Sequence, residues 1–257
     1  MAEQSTQTAG GVQSLHRALD LLEIVAQAGG HLAIGEIAAV SPIPLPTIHR
    51  LLRTLVERGY MRQLPNRRYA LGFRLVPLGD AANALVGVNA RAVLSDLVAE
   101  LGETANLAVL SGDHAEYVAQ VPSKHSMRTF TEVGRRVELH CTGVGKALLS
   151  RLDDTAVQGI VRRAGLAPHT RHTLSTAEAL TAALADIRQR GYALDEEEQE
   201  TGVRCVAVPL AAPMRTWMAI SVSGPVARMT DAMVDRAVPL MRAAAGRLER
   251  ALAADLR

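Results

Sequence analysis

The stretch from Pro44 to Arg58 constrains the rest of the chain most strongly. Ile48, Leu51, Leu52, Leu55 and Val56 recur at the i, i+3, i+4, i+7, i+8 spacing of a helix with one buried stripe. At about 100° per residue, Arg50, Arg53, Thr54 and Glu57 point away from that stripe, with Thr47 and His49 on its flanks. Pro44 suits the first helical position, and Pro46 still falls in the first turn, where no intrahelical N–H bond is lost. Gly59 provides the stop. An apolar stripe backed by arginine describes either a solvated surface helix or one that grips an anionic partner, and the neighbouring residues bear on which.

Charge favours the second. From residue 43 to 74 seven arginines (Arg50, Arg53, Arg58, Arg62, Arg67, Arg68 and Arg74) stand against one acid, Glu57, although the net charge of all 257 residues is only +2. A basic excess confined to one small segment is the footprint of a phosphate-backbone binder. The flanking pattern agrees. A helix is predicted from about Ser14 to Gln27, with Val12, Leu15, Leu19, Leu22 and Ala26 as its inward stripe. A shorter helix follows from Ala33 to Val40, with Ile34, Ile37 and Ala38 inward, and then a turn through Ser41-Pro42-Ile43-Pro44. After the basic helix, Tyr60–Gln63, a turn at Pro65-Asn66-Arg67-Arg68, and Tyr69–Leu71 read as a hairpin. Helix, helix, turn, basic helix and hairpin is the order of a winged helix-turn-helix, whose second helix enters the DNA major groove. Pro46, Thr47, His49, Arg50 and Arg53 on that helix, and Arg67 and Arg68 at the hairpin tip, are the candidate DNA contacts. A small helical domain with a basic surface is the alternative.

Residues 1–11 are polar and small, which predicts a flexible tail and not a signal peptide. No run of about 18 apolar residues predicts a membrane span. Cys141 and Cys205 form neither a disulfide framework nor a zinc knuckle, so a reducing cytoplasm is expected. The domain boundaries expected are 12–75 for DNA binding, 76–90 for a linker helix with a weak point at Gly87, and 91–257 for a second domain. There a helix at 93–101 precedes strands at 104–110, 115–121 and 127–131. Helices opening at Gly145, Asp153 and Ala177, strands at 192–194, 203–210 and 217–223, and a last helix from Asp231 to Leu256 complete an α+β fold with a mainly antiparallel sheet.

In that domain Gly143-Val144-Gly145-Lys146 lacks the residues of a Walker loop or dinucleotide fingerprint, with His140 and Leu148 at the deciding positions. A glycine-rich turn into a helix suits a small anion, and equally a tight structural turn. Ala219, Ser221 and Ser223 share one strand face, which on the strand alone reads as solvent-facing. Glu196–Glu198 read as a solvated edge. Cys205 shares a face with Val203 and Ala207 and opposes Arg204, the setting of an inert buried thiol; a thiol enzyme using Cys205 or Cys141 is the reading from another class. His169 and His172 have no carboxylate or cysteine at metal spacing, so no metal site and no cofactor are expected.

Taken together, these motifs carry a resemblance. Val12-Gln13-Ser14-Leu15-His16-Arg17-Ala18-Leu19, Pro46-Thr47-Ile48-His49-Arg50-Leu51-Leu52, Tyr69-Ala70-Leu71-Gly72, Leu139-His140-Cys141-Thr142-Gly143-Val144-Gly145-Lys146-Ala147-Leu148-Leu149, Gly202-Val203-Arg204-Cys205-Val206-Ala207 and Ser221-Val222-Ser223-Gly224-Pro225 occur in order. Over about residues 12 to 252 the chain resembles the IclR family of bacterial transcription regulators. The resemblance implies a winged helix-turn-helix, a linker helix, a GAF-like effector-binding domain, dimers or tetramers, and no catalysis. Within the family, Gly102–Ala108 and Lys124–Arg128 look like the repressors of allantoin and glyoxylate utilisation. That subgroup implies a small 2-oxo acid such as glyoxylate held by Gly143, Val144, Asp195, Cys205, Ser221 and Ser223. Val144 departs from the alanine common in relatives. The implied partners are a pseudo-palindromic double-stranded operator, a small carboxylate and further copies of the chain. The family contains activators as well as repressors, and a repressor of a catabolic operon is the expectation.

Overall fold

A computed structural model describes residues 12–84, 87–129, 131–210 and 217–254. The chain divides into two compact units, Met1–Ala82 and Asn83–Arg257. The expected tail and the residues immediately before Gly87 lie outside the described residues.

In the first unit, α1 (Gln13–Gln27), β1 (His31–Leu32), α2 (Ile34–Val40), α3 (Leu45–Glu57), β2 (Met61–Gln63) and β3 (Tyr69–Leu71) precede α4 (Leu75–Ala84). The stripe of α3 is buried as its spacing requires: Ile48 and Leu52 are fully enclosed, with Leu55, Leu21, Val25, Ile37, Ile43 and Met61 around them. Pro44 sits at the N-cap instead of the first helical position, and its carbonyl accepts from the N–H groups of Thr47 (2.8 Å) and Ile48 (3.0 Å). Gly59, at φ +78°, ends the helix with a left-handed residue. The inward face of α1 differs from expectation. Leu21 and Val25 are buried, flanked by Ala18 and Leu22, while Val12, Leu15 and Leu19 are exposed. Two apolar stripes about 100° apart satisfy the same periodicity, and the one facing α3 and α2 is buried. The hairpin forms an antiparallel three-stranded sheet in the order β1-β3-β2; its third member, His31–Leu32, is too short to register as a period-two run.

The second unit runs α5 (Gly87–Leu101), β4 (Thr104–Ser111), β5 (His114–Val121), β6 (Arg136–Glu138), α6 (Gly143–Leu149), α7 (Asp154–Ala164), α8 (Ala177–Arg190), β7 (Ala193–Glu196), β8 (Val203–Leu210), β9 (Met218–Pro225) and α9 (Asp231–Ala254). Its six strands pair antiparallel in the order β6-β5-β4-β9-β8-β7. Alternation assigns each strand residue to a face. Leu107, Val206, Val208, Ile220 and Val222 pack with α5 and α9, whereas Ala108, Ala207 and Ala219 pack with α6 and α8. Ser221 and Ser223 therefore fall on the α6 face, where they are buried and not solvent-facing. The expected strand at 127–131 does not form among its described residues. Thr129 and Thr131 spend their hydroxyls on Ser223 and Asn106, and the edge beside β5 is taken by Arg136–Glu138. No helix among the described residues is long and apolar enough to cross a membrane.

The packing of α3 sets the stability of the first unit. Leu52→Ala removes a fully enclosed side chain, and urea denaturation monitored by circular dichroism is expected to show a loss of about 2–5 kcal/mol. A loss below about 1 kcal/mol would mean that the α3 stripe is not a close-packed core.

Candidate DNA-binding surface and effector cavity

On the first unit, Pro46, His49, Arg50 and Arg53 stand exposed along the outer side of α3, with Thr47 half-buried beside them. A groove between α3 and the wing is lined by His49, Arg53, Gln63 and Tyr69. At the wing tip the two arginines part company. Arg67 takes φ +62° and is exposed. Arg68 turns back, and its guanidinium pairs with Glu36 at 2.7 Å. Glu36 also accepts from the N–H of Ala33 at 2.7 Å, so Arg68 braces the start of α2 as well as carrying charge. Exposed cations therefore stand on the second helix of the motif and on the wing, the elements that meet DNA in a winged helix-turn-helix.

The second unit holds a partly open cavity of about 50 Å³ beneath the start of α6. Gly143, Asp195, Cys205 and Ser223 line it. Ser221 is fully buried behind that wall, and Val144 is buried in the apolar cluster of α6 and α8. Four of the six residues inferred from the resemblance thus meet in one space, and two support it. Glycine is needed at 143 because a Cβ there would lie 2.9 Å from the Cys205 sulfur. Thr142 caps α6, its hydroxyl accepting from the Gly145 N–H at 3.1 Å and donating to the Glu138 carbonyl at 2.7 Å.

Tyr117, Thr129, Thr131, Arg135 and Gln199 also line the cavity, and sequence reasoning missed all five. Tyr117 alone carried a signal, being the large residue on the inward side of an alternating strand. The polar wall is a connected network: the Asn106 amide donates to Ser221 Oγ at 3.3 Å and Ser223 Oγ at 3.5 Å, while Thr131 donates to Asn106 Oδ1 at 2.9 Å. The Thr129 hydroxyl donates to the Ser223 carbonyl at 3.0 Å.

Electrostatics at the cavity turn on the acidic run. Glu196 is exposed and pairs with Arg204, as a solvated edge would, but Glu198 is buried in an ion pair with the ammonium of Lys146 on α6. The solvated reading therefore fails for Glu198, because the turn after β7 carries it inward. Asp195 accepts from the Glu198 N–H at 2.8 Å. Burial nevertheless pushes its carboxyl up to about 7, with the negative charge of Glu198 adding to the effect and backbone N–H donation and Lys146 opposing it. Burial likewise raises the Cys205 and Cys141 thiols far above their usual range, with nearby carboxylates acting in the same sense. Such thiols stay protonated and are poor nucleophiles. Arg204 lies on the opposite strand face, held by Glu196 and Asp231 at 2.7 Å each. Outside the cavity, Glu138, His140, Cys141 and His169 offer ligand atoms within 4.8 Å of one another. Local spacing around His169 gave no sign of this, since its partners lie about thirty residues earlier in the chain.

Comparison with known proteins agrees with both halves of this geometry. The IclR helix-turn-helix domain matches residues 14–65, and the bacterial transcriptional regulator IclR C-terminal domain matches residues 82–250. The transcriptional repressor IclR of Escherichia coli is 38% identical over 230 residues, covering 86% of this chain and 83% of that protein. The repressor AllR of Salmonella typhimurium is 32% identical over 229 residues, covering 86% and 83%. A crystal structure of an IclR-type regulator from Alicyclobacillus acidocaldarius superposes with a TM-score of 0.82 at 26% identity, covering 94% of this chain and 99% of the other. These relatives are transcription regulators and not enzymes. The chain belongs to the IclR family of transcriptional regulators, with an N-terminal DNA-binding domain and a C-terminal effector-binding domain.

Proposed function

We propose that this chain is a cytoplasmic repressor of a catabolic operon, released from its operator by a small 2-oxo acid such as glyoxylate. The observation that carries the reading is the cavity under α6. At about 50 Å³ it has room for roughly four water-sized groups, taking about 10–15 Å³ for each. Its walls combine hydroxyls, an amide, two carboxyls (the protonatable Asp195 and, at the rim, the exposed Glu200) and one arginine, Arg135, near Tyr117. A two- or three-carbon acid with an adjacent carbonyl matches that size and that mixture of donors. The relatives named as repressors support repression over activation.

In this reading, residues 12–75 bind DNA, 76–90 connect, and 91–257 bind effector and join copies of the chain into a GAF-like dimer or tetramer. Two copies of α3 read half-sites of a pseudo-palindrome about one helical turn, roughly 10 bp, apart. Arg50 contacts a guanine edge or a phosphate, with Pro46, Thr47, His49, Arg53, Arg67 and Arg68 beside it. Gly143, Val144, Asp195, Cys205, Ser221 and Ser223 form the effector site, Val144 and Ser221 from behind its wall. The acid must prefer the DNA-incompetent arrangement, since equal affinity for both shifts nothing. The segment around Gly87 transmits the change.

Arg50→Ala is expected to weaken operator binding at least about fivefold in a mobility-shift titration at fixed salt, given about 1–3 kcal/mol for a good base contact. Glyoxylate binding by calorimetry stays unchanged. Operator binding at full strength in this variant would remove Arg50 from the recognition surface.

The Asp195 carboxyl gives the effector site a pH dependence of defined sign. Its value lies above the usual carboxylate range, so near neutrality the group is partly protonated. An anion entering beside it favours the protonated form and draws in a proton. Affinity is then full below about pH 7 and falls as the pH rises through it. Between about pH 6 and about pH 8 the glyoxylate affinity of the native chain is expected to drop about tenfold, while Asp195→Asn shows a flat profile. Equal profiles for the two proteins would exclude Asp195 from the site.

A further inference from the structure

Glu138 ends β6, His140 and Cys141 lead into α6, and His169 comes from the loop between α7 and α8. Their four side chains converge on one point beside, and separate from, the effector cavity. Glu138 Oε2 lies 2.8 Å from His169 Nε2, 3.5 Å from His140 Nδ1 and 3.9 Å from the Cys141 sulfur. The two imidazole rings stack with centroids 6.2 Å apart and planes inclined at 29°.

The hydrogen bonding of His140 sharpens the point. Its Nε2 lies 3.0 Å from the Ala167 carbonyl oxygen. A carbonyl only accepts, so Nε2 carries the hydrogen. In the neutral ring Nδ1 is then a lone pair, 3.5 Å from a carboxylate oxygen. Two acceptors this close are reconciled by a cation between them, either a metal ion or a proton on the ring. His140 is buried, and an imidazole that gives its outer N–H to a backbone carbonyl while aiming the other nitrogen inward has the arrangement of a metal ligand.

We propose that Glu138, His140, Cys141 and His169 form a zinc-binding site at the entrance to α6. Two imidazoles, one thiolate and one carboxylate are all donors that zinc accepts, and the four together complete its tetrahedral coordination. The ligand atoms already lie within 4.8 Å of one another. A tetrahedron with zinc-to-ligand distances of about 2.0–2.3 Å needs separations of roughly 3.3–3.7 Å, so the widest pair closes by about 1.1–1.5 Å while the Glu138–His169 pair, now at 2.8 Å, opens slightly. The loop that supplies His169 is anchored for this purpose. Its backbone N–H donates to the Thr173 hydroxyl at 3.0 Å, and that hydroxyl donates to the Glu198 carbonyl at 2.6 Å. The Thr170 hydroxyl donates to the Glu197 carbonyl at 2.6 Å. An entry path exists, because Glu138 and His140 line a second cavity of about 240 Å³ between α7 and the sheet edge.

A bound ion would also reach the effector cavity. Cys141 donates its S–H to the Gln199 amide oxygen at 2.9 Å, and Gln199 lines that cavity. When zinc takes the sulfur as thiolate, the thiol proton leaves to solvent. The Gln199 oxygen then loses its donor and becomes available to a ligand.

The test uses the untagged full-length chain, stripped of metal with a chelator and desalted. Titration with Co²⁺ is expected to give tetrahedral d–d bands and a thiolate-to-cobalt charge-transfer band at one ion per chain. Calorimetry with Zn²⁺ should give the same stoichiometry. Cys141→Ser should abolish the charge-transfer band, and His169→Ala should weaken zinc at least about tenfold, the scale of loss when support for a metal ligand is removed. His172→Ala, in the same loop but outside the cluster, should change neither. Absence of saturable binding would overturn the proposal and leave a hydrogen-bonded cluster held by a proton. Binding of equal strength in native chain and His169→Ala would overturn it too. His169 is on a surface loop, so that variant decides the matter even if Cys141→Ser fails to fold.

Discussion

The second domain is arranged around a carboxylate problem. Asp195 and Glu198 lie three residues apart, and both are buried. Two carboxylates cannot leave water together without compensation, because desolvation and mutual repulsion act in the same sense. Lys146 neutralises one of them from α6. It also fixes where that helix sits, since its own charge is buried and has to stay beside Glu198. Asp195 is left with backbone donors, and its carboxyl rises toward neutrality. Position at the cavity therefore follows from one buried ion pair, and protonation from the burial of the carboxyl left outside it. The glycines of α6 are the steric counterpart: Gly143 lets the helix start lie against Cys205, and Gly145 lets it lie against Leu139.

Much of the fold was legible because amphipathic periodicity is a strong signal where one face alone is apolar. The stripe of α3 and the limits of α8 are of this kind, whereas β8, buried on both faces, shows as one continuous apolar run. The face of α1 was misread because that helix has apolar residues on two adjacent stripes, and only the position of α3 selects Leu21 and Val25. Met127–Thr131 has strand-like composition, but its threonines find side-chain and carbonyl partners on β4 and β9, which no local pattern records.

The cavity was legible only in part, and the reason is topological. Gly143, Asp195, Cys205 and Ser223 belong to motifs that carry the family resemblance. Tyr117, Thr129, Thr131, Arg135 and Gln199 join them through strand order, since β9 pairs with both β4 and β8 and brings Ser223 next to a segment 94 residues earlier. Ser221 and Ser223 looked solvent-facing because alternation says which residues share a face and not which face is covered. Glu198 looked solvated for a related reason: the chain leaves strand geometry after Glu196, and Glu197 takes φ +62° in the turn that carries Glu198 inward. His169 meets Glu138 across 31 residues of chain, beyond any metal-ligand spacing that a local motif preserves.

The construction of the cavity also limits how an effector can act on DNA binding. Its walls come from β5, the 129–131 segment, the start of α6, the turn after β7, and β8 and β9. The strands are tied by continuous ladders, and α6 is pinned by Lys146, so these walls offer little to move. Thr129 and Thr131 lie outside the ladders and are held by their hydroxyls on Ser223 and Asn106 and by the Gln120 amide, which donates to the Thr131 carbonyl at 2.6 Å. An acid that competes for those hydroxyls exchanges hydrogen bonds that no ladder holds in place, and a regulatory ligand acts only where its contacts differ between two states. In the proposed effector response the primary change is therefore an exchange of hydrogen bonds at Thr129 and Thr131, with the sheet and α6 as the fixed frame against which it is felt.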